Sequence, residues 1–180
     1  KDSRIPSLRY EARDAEVFHE WLTSQEGGRY APADTRLLVN ESATAQAIRE
    51  SLFEWLGQAL EEDLVTIYFS GHGQFVQQFN KGYWVPEDAK SKSTAELISN
   101  NDITTYIGGI NSKHTLLITD ACFAGSIFKT RALLNGASRD IKELYTLPSR
   151  KAMTSGTLKE VPDQSVFIEY LVKRLKQNVN

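Results

Sequence analysis

A chain of 180 residues that is 41% hydrophobic, 24% charged and 10% aromatic has the composition of one soluble globular domain, and no apolar run reaches the ~18 residues a membrane span needs. Its 21 basic and 23 acidic residues leave a formal net charge of -2 with no long basic block, so direct nucleic-acid or membrane partners are not expected. The single cysteine excludes an internal disulfide and fits a reducing compartment, with cytoplasm as the default.

The chain opens at Lys1 without an initiator methionine or a signal-peptide pattern, and is read as part of a longer protein. Over residues 11–23, Ala15, Phe18, Trp21 and Leu22 recur at helical spacing among Glu11, Arg13, Glu16 and Glu20, which predicts an amphipathic helix. After the Gly27-Gly28 break and Pro32, Thr35 to Val39 has the composition of a short buried strand, and Asn40 to Ser42 turn the chain. A second long helix is predicted over 44–60, with Ile48, Leu52, Trp55, Leu56 and Leu60 on one face. Leu64 to Phe69 is nearly all apolar and stops at Ser70-Gly71, the pattern of a central parallel strand buried on both faces.

Gly82 to Val85 predicts a short strand before Pro86, and Asp102 is placed as the cap of a short helix running to about Ile107. Thr115 to Ile118 predicts a second buried strand ending at small residues. The stretch from Thr130 to Ser149, with Asn135-Gly136 and Pro148 as turn markers, is expected to be a mobile surface loop. A strand around Lys151 to Thr154 and a helix over 165–176, with Phe167, Tyr170, Leu171 and Leu175 on its apolar side, close the chain.

This alternation predicts an α/β fold, with a mainly parallel sheet covered by helices on both faces. Ligands of such sheets sit at the carboxyl ends of the strands, which puts the loops Ser70 to Gln74 and Asp120 to Gly125 on one edge.

Cys122, the only cysteine, and His72, one of three histidines, each fall just past a predicted buried strand. Either one alone reads as a core residue. Together they supply what amide cleavage needs: a thiolate to attack, and an imidazole to deprotonate it and later protonate the leaving amine. Gly71 and Gly73 flank His72 and let the backbone approach a bound carbonyl, so the amides of Gly73 and Cys122 are candidates for an oxyanion hole. His19 lies on the first helix and His114 opens a strand; neither is assigned to catalysis.

YFSGHGQ, followed some fifty residues later by LLITDACFAG, resembles the caspase, metacaspase and paracaspase clan of cysteine peptidases, closest to the metacaspase/orthocaspase type. RDAEVFHEWL is similar to the helix after that family's first strand, and SRKAMTSG with SVFIEYLVKRL to its small-subunit strand and helix. The resemblance implies a three-layer α/β/α sandwich of the caspase-hemoglobinase type in a single domain over 1–180, large-subunit-like over about 1–128 and small-subunit-like over about 148–180.

It also implies Cys122 as nucleophile, His72 as dyad histidine, and Gly73 and Cys122 as the oxyanion-hole donors. Asp120, Ser70 and Asp14 correspond to residues lining the S1 pocket. Carboxylates in a partly desolvated pocket favour a guanidinium or ammonium, so the expected P1 residue is Arg or Lys. Asp14 has an equally good account as a helix-start charge favoured by the macrodipole. The chain departs from the family pattern where a first strand should precede the Arg13-Asp14 helix, since Ile5 to Tyr10 is interrupted by Pro6. The link from Val161 to Ser165 is also short for the family.

A protein or peptide substrate is expected, with no organic cofactor and no metal site in the dyad chemistry. Family members are often held inactive until a loop is cut, calcium binds or a partner domain moves, so a zymogen or a regulatory partner is expected, with activation by calcium a further option. Lys129, Arg131, Arg139, Lys142 and Arg150 offer basic cleavage points, and Glu61, Glu62 and Asp63 are read as a solvated turn rather than a calcium site. The alternatives are a catalytically silent caspase-like interaction module, and a flavodoxin-like nucleotide-binding domain that lacks any phosphate-cradling signature.

Overall fold

The computed structural model describes residues 2, 4, 5, 8, 10–121, 148–155 and 166–177. In chain order its elements are α1 (Glu11–Thr23), α2 (Ala45–Glu50), β1 (Leu64–Ser70), β2 (Gly73–Val76), β3 (Lys81–Trp84), β4 (Ile98–Ser99), α3 (Asn100–Gly109), β5 (His114–Asp120), β6 (Ser149–Thr154) and α4 (Phe167–Gln177). Parallel pairing orders one sheet β1-β5-β6, and antiparallel pairing orders a smaller one β2-β3-β4.

Side-chain alternation along β5 divides the core. Leu117 joins Leu52, Val65, Trp84, Ile98, Ile103, Ile107 and Ile110 on the face covered by α3 and the helix that begins with α2. Ile118 points the other way and packs with Phe18 of α1 and with Ile168 and Val172 of α4. Each such burial contributes about 1.5–3 kcal/mol relative to exposure. Helices therefore cover both faces of a parallel sheet, the layered α/β arrangement expected from the sequence.

Local chemistry sets the element ends. Gly27 sits where a Cβ would lie 1.9 Å from the Trp21 carbonyl oxygen, so the return after α1 requires glycine. Thr44 Oγ1 accepts from the Ala47 amide to start α2. The helix then runs on as a π turn over Ser51–Trp55 and a 3-10 turn over Leu56–Gln58. At α3 the cap is Ser99, whose hydroxyl accepts from the Asp102 amide; Asp102 answers from N3 in a capping box rather than capping the helix itself.

Several expectations need correction. Thr35 and Val39 have extended backbone, with ψ of 148 and 152, but 35–39 forms no strand because no described strand lies alongside to exchange hydrogen bonds. No strand precedes α1 among the described residues, so β5 is the central strand and β1 is an edge with only Val65 fully buried. On α4 the buried positions are Ile168 and Val172, while Tyr170 is exposed. The irregular stretch predicted from Thr130, apart from Pro148 and Ser149, and the Val161 to Ser165 link lie outside the described residues; Ser149 already belongs to β6. No helix of the described chain is long and apolar enough to cross a membrane.

Candidate active site

β1 and β5 end in step. Ser70 is paired with Asp120, and the Gly71 amide donates to the Asp120 carbonyl at 3.2 Å, carrying the parallel ladder one bond further. The chain after each strand therefore leaves from the same rim of the sheet. Only Gly71 and His72 separate β1 from β2, so what reads as a loop from Ser70 to Gln74 is a two-residue joint between the sheets. A Cβ on Gly71 would approach the Phe69 ring to 3.1 Å, so a larger residue there would press on that ring. Phe69 stacks on Trp84 with ring centroids 4.0 Å apart and bonds one sheet to the other.

His72 is half-buried at this joint, and its carbonyl accepts from the Val85 amide at 3.0 Å. In an antiparallel ladder the pair beyond such a bond turns its amides away from the partner strand, and that next pair is Gly73 and Trp84. The Gly73 amide thus faces away from β3. On β5, Ala121 is buried at the rim. Cys122 and the rest of the segment to Gly125 lie outside the described residues.

The α1 side of the same rim holds a group of polar side chains. Tyr68 and Ser70 lie two apart on β1, Asp120 lies two beyond Ile118 on β5, and Asp14 lies one turn before Phe18 on the sheet-facing side of α1. Asp120 is 4% exposed and Asp14 is 8% exposed. Neither carboxylate oxygen of Asp120 has a hydrogen-bond partner among the described residues, and the same holds for the hydroxyls of Tyr68 and Ser155 and for Glu11 Oε2. None of the ion pairs among the described residues involves Asp14 or Asp120.

The electrostatics tie the group together. Burial pushes the Asp14 carboxyl up to about 6; the negative charges of Asp120, Glu169 and Glu11 add to the rise, and Arg13 opposes it. Burial likewise raises the Tyr68 phenol above its ordinary range, opposed by the Ser70 hydroxyl and reinforced by Asp120 and Asp14. Buried carboxylates are ordinarily paired. Two neighbouring buried carboxylates with no ion pair among the described residues are chemically complementary to a positively charged guest.

The structure brings Ser70, Asp120 and Asp14 together and places His72 at the rim beside them. Sequence reasoning missed Tyr68 and Ser155. Period-two alternation back from Ser70 would have found Tyr68, whereas Ser155 becomes a neighbour only through the β5–β6 register.

The remaining candidates are used elsewhere. His19 Nε2 lies 3.1 Å from Thr35 Oγ1 and ties α1 to the extended segment. His114 is exposed at the opposite end of the sheet from His72. Glu61 pairs with Lys113 at 2.8 Å, and Asp63 Oδ2 accepts from the Leu60 amide in a tight turn. No group of three or more His, Cys, Asp or Glu among the described residues is placed to hold a metal. Arg150 donates to the carbonyls of Ile107, Ser112 and Ile110, and its own peptide is paired within β6. A residue held in this way is not an accessible cleavage point, unlike the reading that grouped it with the loop cations.

Residues 3–179 match the family model described as the caspase domain. A search among curated proteins finds no match.

Proposed function

The chain belongs to the caspase-domain family, a family of cysteine peptidases, and from that premise we propose an endopeptidase of the metacaspase/orthocaspase type that cuts after Arg or Lys. The observation that carries the P1 assignment is Asp120: a carboxylate 4% exposed, with neither oxygen partnered among the described residues, beside a second buried carboxylate. Asp120, Asp14 and Ser70 line S1 in this reading. A P1 guanidinium or ammonium supplies the charge the pocket lacks.

Cys122 is the nucleophile and His72 the base. The imidazole takes the thiol proton, the thiolate attacks the scissile carbonyl, and the oxyanion is held by the amides of Gly73 and Cys122. The orientation of the Gly73 amide away from β3 supports its part in this hole. His72 then protonates the leaving amine, and water hydrolyses the acyl-enzyme with His72 again as base. No step needs an organic cofactor.

Activation by loop cleavage or a partner is part of the proposal, with Lys129, Arg131, Arg139 and Lys142 as candidate cleavage points. An unchanged intact mass in a preparation that cleaves peptides rejects self-cleavage there.

The deciding assay uses matched fluorogenic peptides ending in Arg, Lys or Asp, with Cys122→Ala as the blank. Cysteine-dependent cleavage after Arg or Lys is expected. Cleavage after Asp overturns the pocket reading, and equal rates from the wild type and Cys122→Ala overturn the nucleophile.

A further inference from the structure

A third strand, β6, ends at the same rim. The Ser155 amide donates to the Thr119 carbonyl at 3.1 Å, so the β5–β6 ladder, which pairs Thr119 with Thr154, continues one residue past β6. That step sets Ser155 beside Asp120. Ala152 packs with the α3-side core, and alternation from it turns Met153 and Ser155 to the α1 side, the side that Asp120 faces. Across the rim the order is therefore Ser70, Asp120, Ser155, with neighbours about one strand spacing of ~4.8 Å apart. Ser155 Oγ is buried and has no hydrogen-bond partner among the described residues.

Resting on the P1 assignment above, we propose that Ser155 is a specificity-determining residue of the S1 pocket, its hydroxyl accepting a hydrogen bond from an arginine guanidinium and thereby favouring Arg over Lys. A guanidinium spreads five N–H donors around a plane. Two of them satisfy the Asp120 carboxylate in parallel, and the plane's edges then meet the hydroxyls on either side. An ammonium concentrates three donors on one atom and cannot span that row from a single position. The unpartnered Ser155 hydroxyl is thus matched by arginine and left unmatched by lysine, and a buried polar group left unmatched discriminates between guests.

The test compares kcat and KM on peptides that differ only in Arg or Lys at P1. Ser155→Ala is expected to lower kcat/KM about tenfold for the Arg peptide, mainly through KM, and to leave the Lys peptide within about twofold. Ser155→Thr, which keeps the hydroxyl, retains more of the Arg preference than Ser155→Val, which matches it in volume. Thermal unfolding checks each variant, and the Thr/Val pair decides the matter where the alanine variant does not fold. An equal loss on both peptides, or no change on either, overturns the role of Ser155 and leaves the basic-P1 reading standing. A wild type that cleaves the matched P1-Asp peptide but neither of these overturns that reading, and the Ser155 proposal with it.

Discussion

The two ends of the parallel sheet handle buried polarity in opposite ways. At the end where β5 and β6 begin, most buried groups answer one another, with Thr115 Oγ1 the exception. Arg150 serves three carbonyls, Ser112 Oγ donates to the Asp63 and His114 carbonyls and accepts from the His114 amide, and Lys113 pairs with Glu61. At the carboxyl end, Asp120, Tyr68 and Ser155 bury oxygens with no partner among the described residues. A satisfied buried group holds the fold, whereas an unsatisfied one costs stability and waits for something outside the fold to satisfy it. On the proposed reading, stability and recognition are separated along a strand of seven residues.

The contrast can be broken most severely at the dyad. Cys122→Ala and His72→Ala are expected to lower kcat/KM on a P1-Arg peptide by a factor on the order of ten thousand or more, with little change in melting temperature. Residual turnover above a matched blank removes the altered residue from the mechanism.

Asp120→Asn sharpens the comparison. Cleavage after Arg should fall on the order of a hundredfold, because the pocket loses the carboxylate that pairs with the guanidinium, while the melting temperature holds or rises as an unpaired buried carboxylate is removed. A lower melting temperature with unchanged P1 preference would move Asp120 from recognition to structure. The opposite signature belongs to the other end. Arg150→Ala should cost about 2–4 kcal/mol in urea unfolding by stranding three carbonyls, and should leave the ratio of Arg to Lys cleavage as it was. A shifted ratio would show that the two ends are coupled.

The smallest effect is set by pH. Burial pushes Asp14 from its ordinary 3.8 up to about 6 in the fold, so the native state holds its proton more tightly than the unfolded chain. Its contribution to stability is complete below about pH 4 and is lost as pH rises through 6. Asp14→Asn should therefore be more stable than the wild type at pH 8, by about 1–3 kcal/mol, with the gap closing towards pH 4. In the pocket reading the wild type also gains P1-Arg activity as Asp14 ionises. The ratio of wild-type to variant kcat/KM should then rise through about pH 6, and a flat ratio would make Asp14 a helix-start charge only.

Much of this was readable from the residues, for physical reasons. The apolar runs 64–69 and 115–118 are legible as parallel strands, although only the second is buried along most of its length, and the helical periodicity of 11–23 gave α1 its bounds. Thr35 to Val39 misled because composition reports readiness to pair, whereas a strand also needs a neighbour. At Ser99 and Asp102 both residues are good caps, and only geometry distinguishes the N-cap from its N3 partner. On α4, Tyr170 and Ile168 are both apolar enough for the inner face, and packing against Phe18 and Ile118 selects Ile168. In the site, the strand ends place Ser70 and Asp120 on one edge of the sheet, while their pocket roles come from the family resemblance. Ser155 requires knowing which strand lies beside β5, and local sequence does not carry that pairing.

Asp120 faces the pocket because β5 meets β1 in one register, with Ser70 opposite Asp120. A slip of a single residue would turn every β5 side chain to the other face, sending Asp120 into the apolar layer around Trp84 and Leu52. What resists the slip is Leu117 held on one face and Ile118 on the other, both 2% exposed and neither in reach of a substrate. On the proposed reading, the sign of the charge this protein accepts is written in hydrocarbon at the middle of the strand. A lineage could alter what it cuts by repacking those two positions, with no substitution in the pocket.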